Sequence, residues 1–197
     1  MRSFFRSVQV PLVVVLAGVF FFSIAGCGNS SAPVTTRPTL TVTAASANRV
    51  YGAPNPAFTA SASGAVSGDT FAFTASTVAT PSSPAGTYTI VPAATGANLA
   101  NYNVVYVNGT LTVDKAALTV TPNNQSIVSG SVVPSLSATI TGYVNGDTQT
   151  VVTGLPALTT TATSSSPAGT YPIAATVGTL AAANYSFTVG TGTLTIT

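Results

Sequence analysis

Ser83 to Val113 reads SPAGTYTIVPAATGANLANYNVVYVNGTLTV, and Ser166 to Ile196 reads SPAGTYPIAATVGTLAAANYSFTVGTGTLTI. The two stretches lie 83 residues apart and agree at 14 of 31 positions. The agreements fall in three blocks: Ser-Pro-Ala-Gly-Thr-Tyr, Ala-Asn-Tyr and Gly-Thr-Leu-Thr. Self-similarity over that length marks one structural unit used in tandem.

Working upstream, the correspondence continues at a different spacing. Leu40-Thr41-Val42-Thr43 recurs 78 residues later as Leu118-Thr119-Val120-Thr121, and Gly68-Asp69-Thr70 recurs as Gly146-Asp147-Thr148. Tyr51-Gly52 stands opposite Ser129-Gly130, Pro56 opposite Pro134 and Phe58 opposite Leu136. The change of spacing from 78 to 83 places five extra residues in the second copy, in or near Thr150 to Ser165. Two modules follow, residues 39–114 and 115–197. So short a join between them restricts bending.

Alternation of apolar and polar residues makes each module mainly β. Tyr88 and Ile90 share a face, as do Tyr171 and Ile173. Tyr102, Val104 and Tyr106 share another, matched by Tyr185, Phe187 and Val189. Leu111 and Val113 close the first module; Leu194 and Ile196 close the second. Phe71 and Phe73 add a strand to the first. Pro84-Ala85-Gly86 and Pro167-Ala168-Gly169 read as tight turns before a strand, and Asn108-Gly109 as a two-residue hairpin. Asp147 to Val152 reads as one short helical turn capped by Asp147. The expected architecture is two small β-rich modules, β-grasp-like or sandwich-like, with at most a short helical turn in each. Tyr88, Tyr102, Tyr171 and Tyr185 alternate as core residues do.

Residues 1–26 have the form of a secretory signal peptide: Arg2 and Arg6, an apolar run from Val10 to Phe22, then small residues. The competing reading, a membrane-spanning helix, needs about 20 apolar residues. Ile24-Ala25-Gly26-Cys27 resembles the lipobox of bacterial lipoproteins. That resemblance implies cleavage between Gly26 and Cys27 and lipidation of Cys27, with Gly28 favouring an outer-membrane destination. The alternative for Cys27, the chain's single cysteine, is an unmodified thiol. Residues 27–38 then form a flexible tether. The expectation is a protein of the bacterial cell envelope, held to the outer membrane or cell surface by its lipid.

Charge and residue inventory narrow the chemistry. The chain has five Lys and Arg, three Asp, no Glu and no His. Residues 27–197 carry three bases (Arg37, Arg49, Lys115) against three acids (Asp69, Asp114, Asp147). A balance near zero gives no electrostatic footprint for nucleic acid and little repulsion between copies, so weak self-association is expected. Without His or Glu, a Ser-His-Asp or Cys-His arrangement cannot be built, and the paired carboxylates of a glycosidase would have to come from three separated Asp. The reading is of no enzyme, no cofactor and no metal. Asp69 and Asp147 are the residues that could hold a calcium ion with backbone help, against the plainer role of capping a turn. An isopeptide bond from Lys115 would need that lysine buried beside a carboxyl. Tyr51, presented on a turn, is the candidate contact for a surface polysaccharide or a protein ligand.

Tyr51-Gly52-Ala53-Pro54-Asn55-Pro56-Ala57-Phe58 is similar to the MBG domain of the YGX type. So are Gly68-Asp69, the Ala-Gly-Thr-Tyr turn, Ala100-Asn101-Tyr102-Asn103 and Gly109-Thr110-Leu111-Thr112-Val113. The resemblance covers residues 39–197. It implies small extracellular β-rich modules related to β-grasp folds, found in tandem in bacterial surface and adhesin-like proteins, with no enzyme activity. The second module departs from the pattern, because Ser129 stands where the Tyr of Tyr-Gly should be. The function expected from all this is a non-catalytic, lipid-anchored surface protein acting as spacer or adhesin-like binding element. A carbohydrate-binding accessory lipoprotein is the alternative.

Overall fold

The computed structural model describes residues 36–197; the signal segment, Gly26, Cys27 and most of the expected tether lie outside the described residues. The first module is built from seven strands: β1 (Thr39–Ala44), β2 (Ala47–Val50), β3 (Ala60–Ser63), β4 (Ala72–Ser76), β5 (Gly86–Thr95), β6 (Asn103–Val107) and β7 (Gly109–Asp114). The second repeats them as β8 (Ala116–Pro122), β9 (Gln125–Ile127), β10 (Ala138–Thr141), β11 (Ala157–Thr160), β12 (Gly169–Thr176), β13 (Tyr185–Val189) and β14 (Thr191–Ile196). Each module pairs a three-stranded sheet, β3-β1-β6 or β10-β8-β13, with a four-stranded one, β2-β7-β5-β4 or β9-β14-β12-β11. The helical pieces among the described residues are two three-residue 3-10 turns, Leu99–Asn101 and Gln149–Val151. Of the arrangements the sequence left open, the curled pair of sheets is the sandwich-like one.

A parallel ribbon links the two sheets of each module. β1 runs parallel to β6, and their continuations β2 and β7 run parallel in the other sheet. The ribbon bends where Ala45-Ser46 faces Asn108. A Cβ on Gly109 would lie 2.7 Å from the Ala45 carbonyl oxygen, so only glycine lets the two chains approach there. The second module bends at the same place, where a Cβ on Gly192 would lie 2.6 Å from the Pro122 oxygen. At each bend a side chain accepts the next N–H of the ribbon: Thr110 N–H donates to Ser46 Oγ at 3.0 Å, and Thr193 N–H to Asn124 Oδ1 at 2.8 Å. Asn108-Gly109 is therefore no hairpin. It is the point at which one strand leaves its sheet and enters the other.

The repeated blocks acquire specific roles. In Ser-Pro-Ala-Gly-Thr-Tyr the tyrosine folds back on its own proline: Tyr88 Oη donates to the Pro84 oxygen at 2.8 Å and Tyr171 Oη to the Pro167 oxygen at 2.9 Å. The hydrogen-bonded turns sit just upstream of where the sequence suggested. Ser83 N–H donates to the Thr80 oxygen, and Ser166 N–H to that of Thr163. Thr80 N–H and Thr163 N–H donate in return to Ser83 Oγ and Ser166 Oγ. A hydroxyl that reciprocates closes the turn there, and Pro84-Ala85 becomes its extended exit. The five extra residues also find their place. Ala75 pairs with Pro92 and Leu158 with Ala175, both already at the 83-residue spacing. The insertion thus lies within 149–156, a stretch that includes the 3-10 turn Gln149–Val151.

Apolar residues on alternate positions fill three clusters. One lies inside the first module around Leu40, Val42, Ala94 and Tyr102. Another lies inside the second around Ala162, Ile173, Leu194 and Ile196. Between them a third cluster joins Tyr51, Ile90, Leu111 and Val113 to Ala116, Leu118 and Tyr185. The modules are distinct in their sheets, since no strand pairing crosses from one to the other among the named strands. They are continuous in their core. The burial of Tyr51 and Ala116 at the join is what merges them. Tyr88 and Tyr171 are half-buried, Tyr102 and Tyr185 fully so. Tyr106, expected to share a face with Tyr102, is 47% exposed; it lies on β6, an edge strand of its sheet.

Candidate functional site

The most densely bonded polar group sits where the modules meet, and it is built on a tyrosine–aspartate pair that each module carries. In the second module Asp147, on the loop after β10, accepts the Tyr185 hydroxyl at 2.7 Å on Oδ2. That hydroxyl has one proton, which the carboxylate takes; its lone pair receives the Val144 N–H at 3.1 Å. In the first module Asp69 accepts the Tyr102 hydroxyl, and Tyr102 receives the Val66 N–H at 2.8 Å. Asp147 does not cap the following helical turn, as the sequence suggested. Thr148 holds that position with no side-chain bond, because the carboxylate is turned inward to the tyrosine.

The electrostatics follow the geometry. The Tyr102 hydroxyl and then the Asn98 amide hold the Asp69 carboxyl below its ordinary range. Burial first, and the bond to Asp69 second, push Tyr102 up. The same two causes, burial and Asp147, push Tyr185 up to about 12.

The two pairs differ in where the second donor to the carboxylate comes from. Asp69 takes it from its own module, from Asn98 Nδ2. Asp147 takes it from the other module, from the Tyr51 hydroxyl at 3.1 Å. The rings repeat this logic. Phe71 packs edge-on against Tyr102 with centroids 5.3 Å apart, and Tyr51 packs edge-on against Tyr185 at 5.5 Å. The first module closes its aspartate pole with its own side chains, whereas the second is closed by the Tyr-Gly turn of the first.

That turn is held from behind. Arg49, 7% exposed, donates to Asn55 Oδ1 at 2.7 Å and to the carbonyl oxygens of Val50 and Thr80. Asn55 Nδ2 donates to the Ala79 oxygen at 2.7 Å. The loop 79–81 and the turn 51–55 therefore move as one piece, with Tyr51 N–H on the Asp114 oxygen at 2.8 Å. Gly52 has φ +86°, and a Cβ there would lie 2.6 Å from Val144 Cγ2. Around this centre Asn145 Nδ2 donates to the Pro81 oxygen at 3.2 Å, and Ala85 N–H to Asn184 Oδ1 at 3.0 Å.

Tyr51, the expected ligand contact, is 6% exposed and belongs to the junction, not to an outer surface. The turn does present it, but what it is presented to is the second module. Asp69 and Asp147 occupy equivalent places, as their spacing indicated, and both are engaged by tyrosines. Asp114 ends β7. Among the described residues no three His, Cys, Asp or Glu side chains gather into a group that could hold a metal ion. Lys115 is exposed and donates to the Ala182 oxygen at 3.2 Å, so it lacks the burial an isopeptide bond needs. The pairing of Asp147 with Tyr51 and Tyr185 was not read from the sequence. Its signal was the recurrence of Gly-Asp-Thr and Ala-Asn-Tyr at matched places in both modules.

Comparison with known families gives a match to the MBG domain (YGX type) over residues 40–112 and again over residues 118–195. No curated protein matches the chain. The matched stretches coincide with the two seven-strand units, and the Tyr-Gly of the first is the element that docks into the second. The chain belongs to the MBG domain (YGX type) family and carries that domain twice, in tandem.

Proposed function

We propose that this protein is a non-catalytic, lipid-anchored component of the bacterial cell surface whose tandem MBG modules act as a spacer or adhesin-like binding element. The observation that carries the reading is the junction. A pair of family modules joined through a shared apolar cluster, a buried tyrosine and a carboxylate bridging two tyrosine hydroxyls is suited to holding a fixed reach from a membrane. The inventory of side chains supports the absence of catalysis: no His, no Glu, and Asp69 and Asp147 each committed to tyrosine hydroxyls. The anchor rests on Ile24-Ala25-Gly26-Cys27. Two or more acyl chains, at about 0.8 kcal/mol per buried methylene, hold a protein stably to a bilayer. The partners proposed are the membrane itself, through Cys27, and a surface polysaccharide or protein. The carbohydrate reading that relied on an exposed Tyr51 loses its ring to the junction.

Expression of the full chain in a bacterial host, with metabolic labelling by a fatty acid, tests the anchor. Wild type is expected in the membrane fraction with label, and Cys27→Ser unlabelled and either uncleaved or released. A Cys27→Ser protein that fractionates and migrates as wild type does would refute the anchor. Resistance of the wild-type protein to protease added to intact cells would refute surface exposure.

A further inference from the structure

The two modules differ inside as well as at their ends. In the first, Phe71 and Phe73, together with Ala60, Ala62 and Leu99, pack against the cluster of Leu40, Val42, Ala94 and Tyr102. Carried back from the start of β11, the 83-residue spacing sets Gly154 opposite Phe71 and Pro156 opposite Phe73. Neither position is aromatic; the ring that the second module itself packs edge-on against Tyr185 is Tyr143, with centroids 6.1 Å apart. The second module has a cavity of about 310 Å³ there, lined by Ala138 and Ile140 (the counterparts of Ala60 and Ala62), with Leu158, Leu180, Val152 and Pro156. Ser137 and Gln149 supply polar groups, and no charged residue lines it.

We propose that this cavity is a binding site for a small, uncharged aromatic molecule. Its volume lies at the lower end of the roughly 300–1,000 Å³ typical of ligand sites. An apolar cavity of roughly 150 Å³ already takes one benzene ring, so this one takes one or two fused rings. The sister module shows what shape the scaffold accepts at that place: two planar rings packed on its apolar cluster. The cavity is partly open and its lining is about half apolar, and that half supplies affinity through buried area. The Gln149 amide and the Ser137 hydroxyl can orient a ring substituent, and the absence of charge disfavours ionic ligands, whose desolvation would go uncompensated. The five-residue insertion, present only in the second module, supplies Gln149 and Val152 to the lining, so it shapes the site as well as lengthening the chain. This inference stands apart from the anchoring and spacer reading.

Titration of the full chain with indole, followed by methyl NMR, tests it. Saturable shifts are expected at Ile140, Leu158 and Leu180, with those of Leu40 and Val42 in the first module unmoved. Pro156→Phe, which restores the ring found in the sister module, is expected to weaken binding at least tenfold. Ala138→Phe fills the cavity from the opposite strand and is expected to do the same. A straight-chain alcohol of similar size, 1-hexanol, is expected to bind at least several-fold more weakly than indole. The proposal is overturned by the absence of saturation in wild type, by equal shifts in both modules, by unchanged affinity in a folded filling variant, or by hexanol binding as tightly as indole. The wild-type titration decides the matter even if neither variant folds.

Discussion

Gly52 and Gly130 offer a direct measure of how strongly the modules are coupled. They are equivalent positions with nearly the same backbone, φ +86° and +85°. An alanine at either carries the same left-handed conformation, at about 1–2 kcal/mol for an L-residue, less a few tenths for the stiffer unfolded chain. The surroundings differ. A Cβ at Gly130 meets nothing within 4 Å, whereas at Gly52 it would lie 2.6 Å from Val144 Cγ2 and 2.8 Å from Val144 Cβ. Relieving contacts about 1 Å too short requires the first module to back away from the second, and overpacking of this kind costs about 1–3 kcal/mol. Gly130→Ala is therefore expected to lower stability by about 1 kcal/mol and Gly52→Ala by about 2–4 kcal/mol. Backbone strain cancels in the difference, which reports the docking. Urea unfolding of the two variants beside wild type, read by tyrosine fluorescence because the chain has no Trp, gives both numbers. Separation of one transition into two in Gly52→Ala would show the modules uncoupled. Equal losses for the two variants, within about 0.5 kcal/mol, would refute the view that Val144 seats the Tyr-Gly turn.

Other perturbations read other parts of the same arrangement. Tyr185 holds its proton more tightly folded than unfolded, so its stabilisation is present below pH 10 and is lost as pH rises from 10 toward about 12. Tyr185→Phe should make the alkaline limb of a stability profile shallower, and an unchanged limb would exclude this tyrosine as its source. Asp69 runs the opposite way: its lowered pKa stabilises above the ordinary value near 3.8 and is lost as pH falls through the folded value, so Asp69→Asn should flatten the acid limb. The Arg49–Asn55 pair stands where the second module has Ile127 and Val133, both packed on its core. Arg49→Ile and Asn55→Val should each cost about 1–3 kcal/mol, since each leaves a buried polar partner behind. Together they should cost less than their sum by about 1 kcal/mol or more, and additivity in a double-mutant cycle would contradict the direct bond between them.

The longer strands were legible because alternation is a local signal, and the modules because the repeat supplies each reading twice; the short strands Ala47–Val50, Ala60–Ser63, Gln125–Ile127, Ala138–Thr141 and Ala157–Thr160 carry too few alternations to be read. Leu111 and Val113, or Leu194 and Ile196, declare their buried face in the sequence itself. What was not legible depended on contacts across long separations. Asn108-Gly109 carries the dipeptide of a hairpin, yet its glycine is required by the carbonyls of Ala44 and Ala45, more than 60 positions away. Asp147 looked like a helix cap because the 3-10 turn follows it at once; the competing partners, Tyr51 and Tyr185, lie 96 and 38 residues distant. Tyr51 looked exposed because turns are exposed in isolated modules, and the surface that covers it belongs to the next one. The jump in spacing did locate the insertion, although its share in a cavity needed the register of β11 on β12.

Folding and docking are written in separable residues. The Tyr-Gly turn of the first module is fixed by Tyr51 N–H on the Asp114 oxygen at 2.8 Å, and the corresponding turn of the second by Ser129 N–H on the Thr197 oxygen at the same distance. The backbone is the same, so the turn itself needs no tyrosine. The tyrosine ring is what the junction needs: with serine at 129 the turn forms and presents no ring. On the receiving side the scaffold keeps Asp69–Tyr102 and Asp147–Tyr185 alike, and what varies is the neighbour that completes them. Phe71 and Asn98 complete the first; Gly154 and Ala181 stand in their places in the second. In the second module Tyr185 is packed edge-on by Tyr143 of its own module and by Tyr51 of the first, and the cavity lies where Gly154 and Pro156 replace the two phenylalanines. The two copies thus keep the same strands and turns while differing in the side chains that complete each aspartate–tyrosine pair.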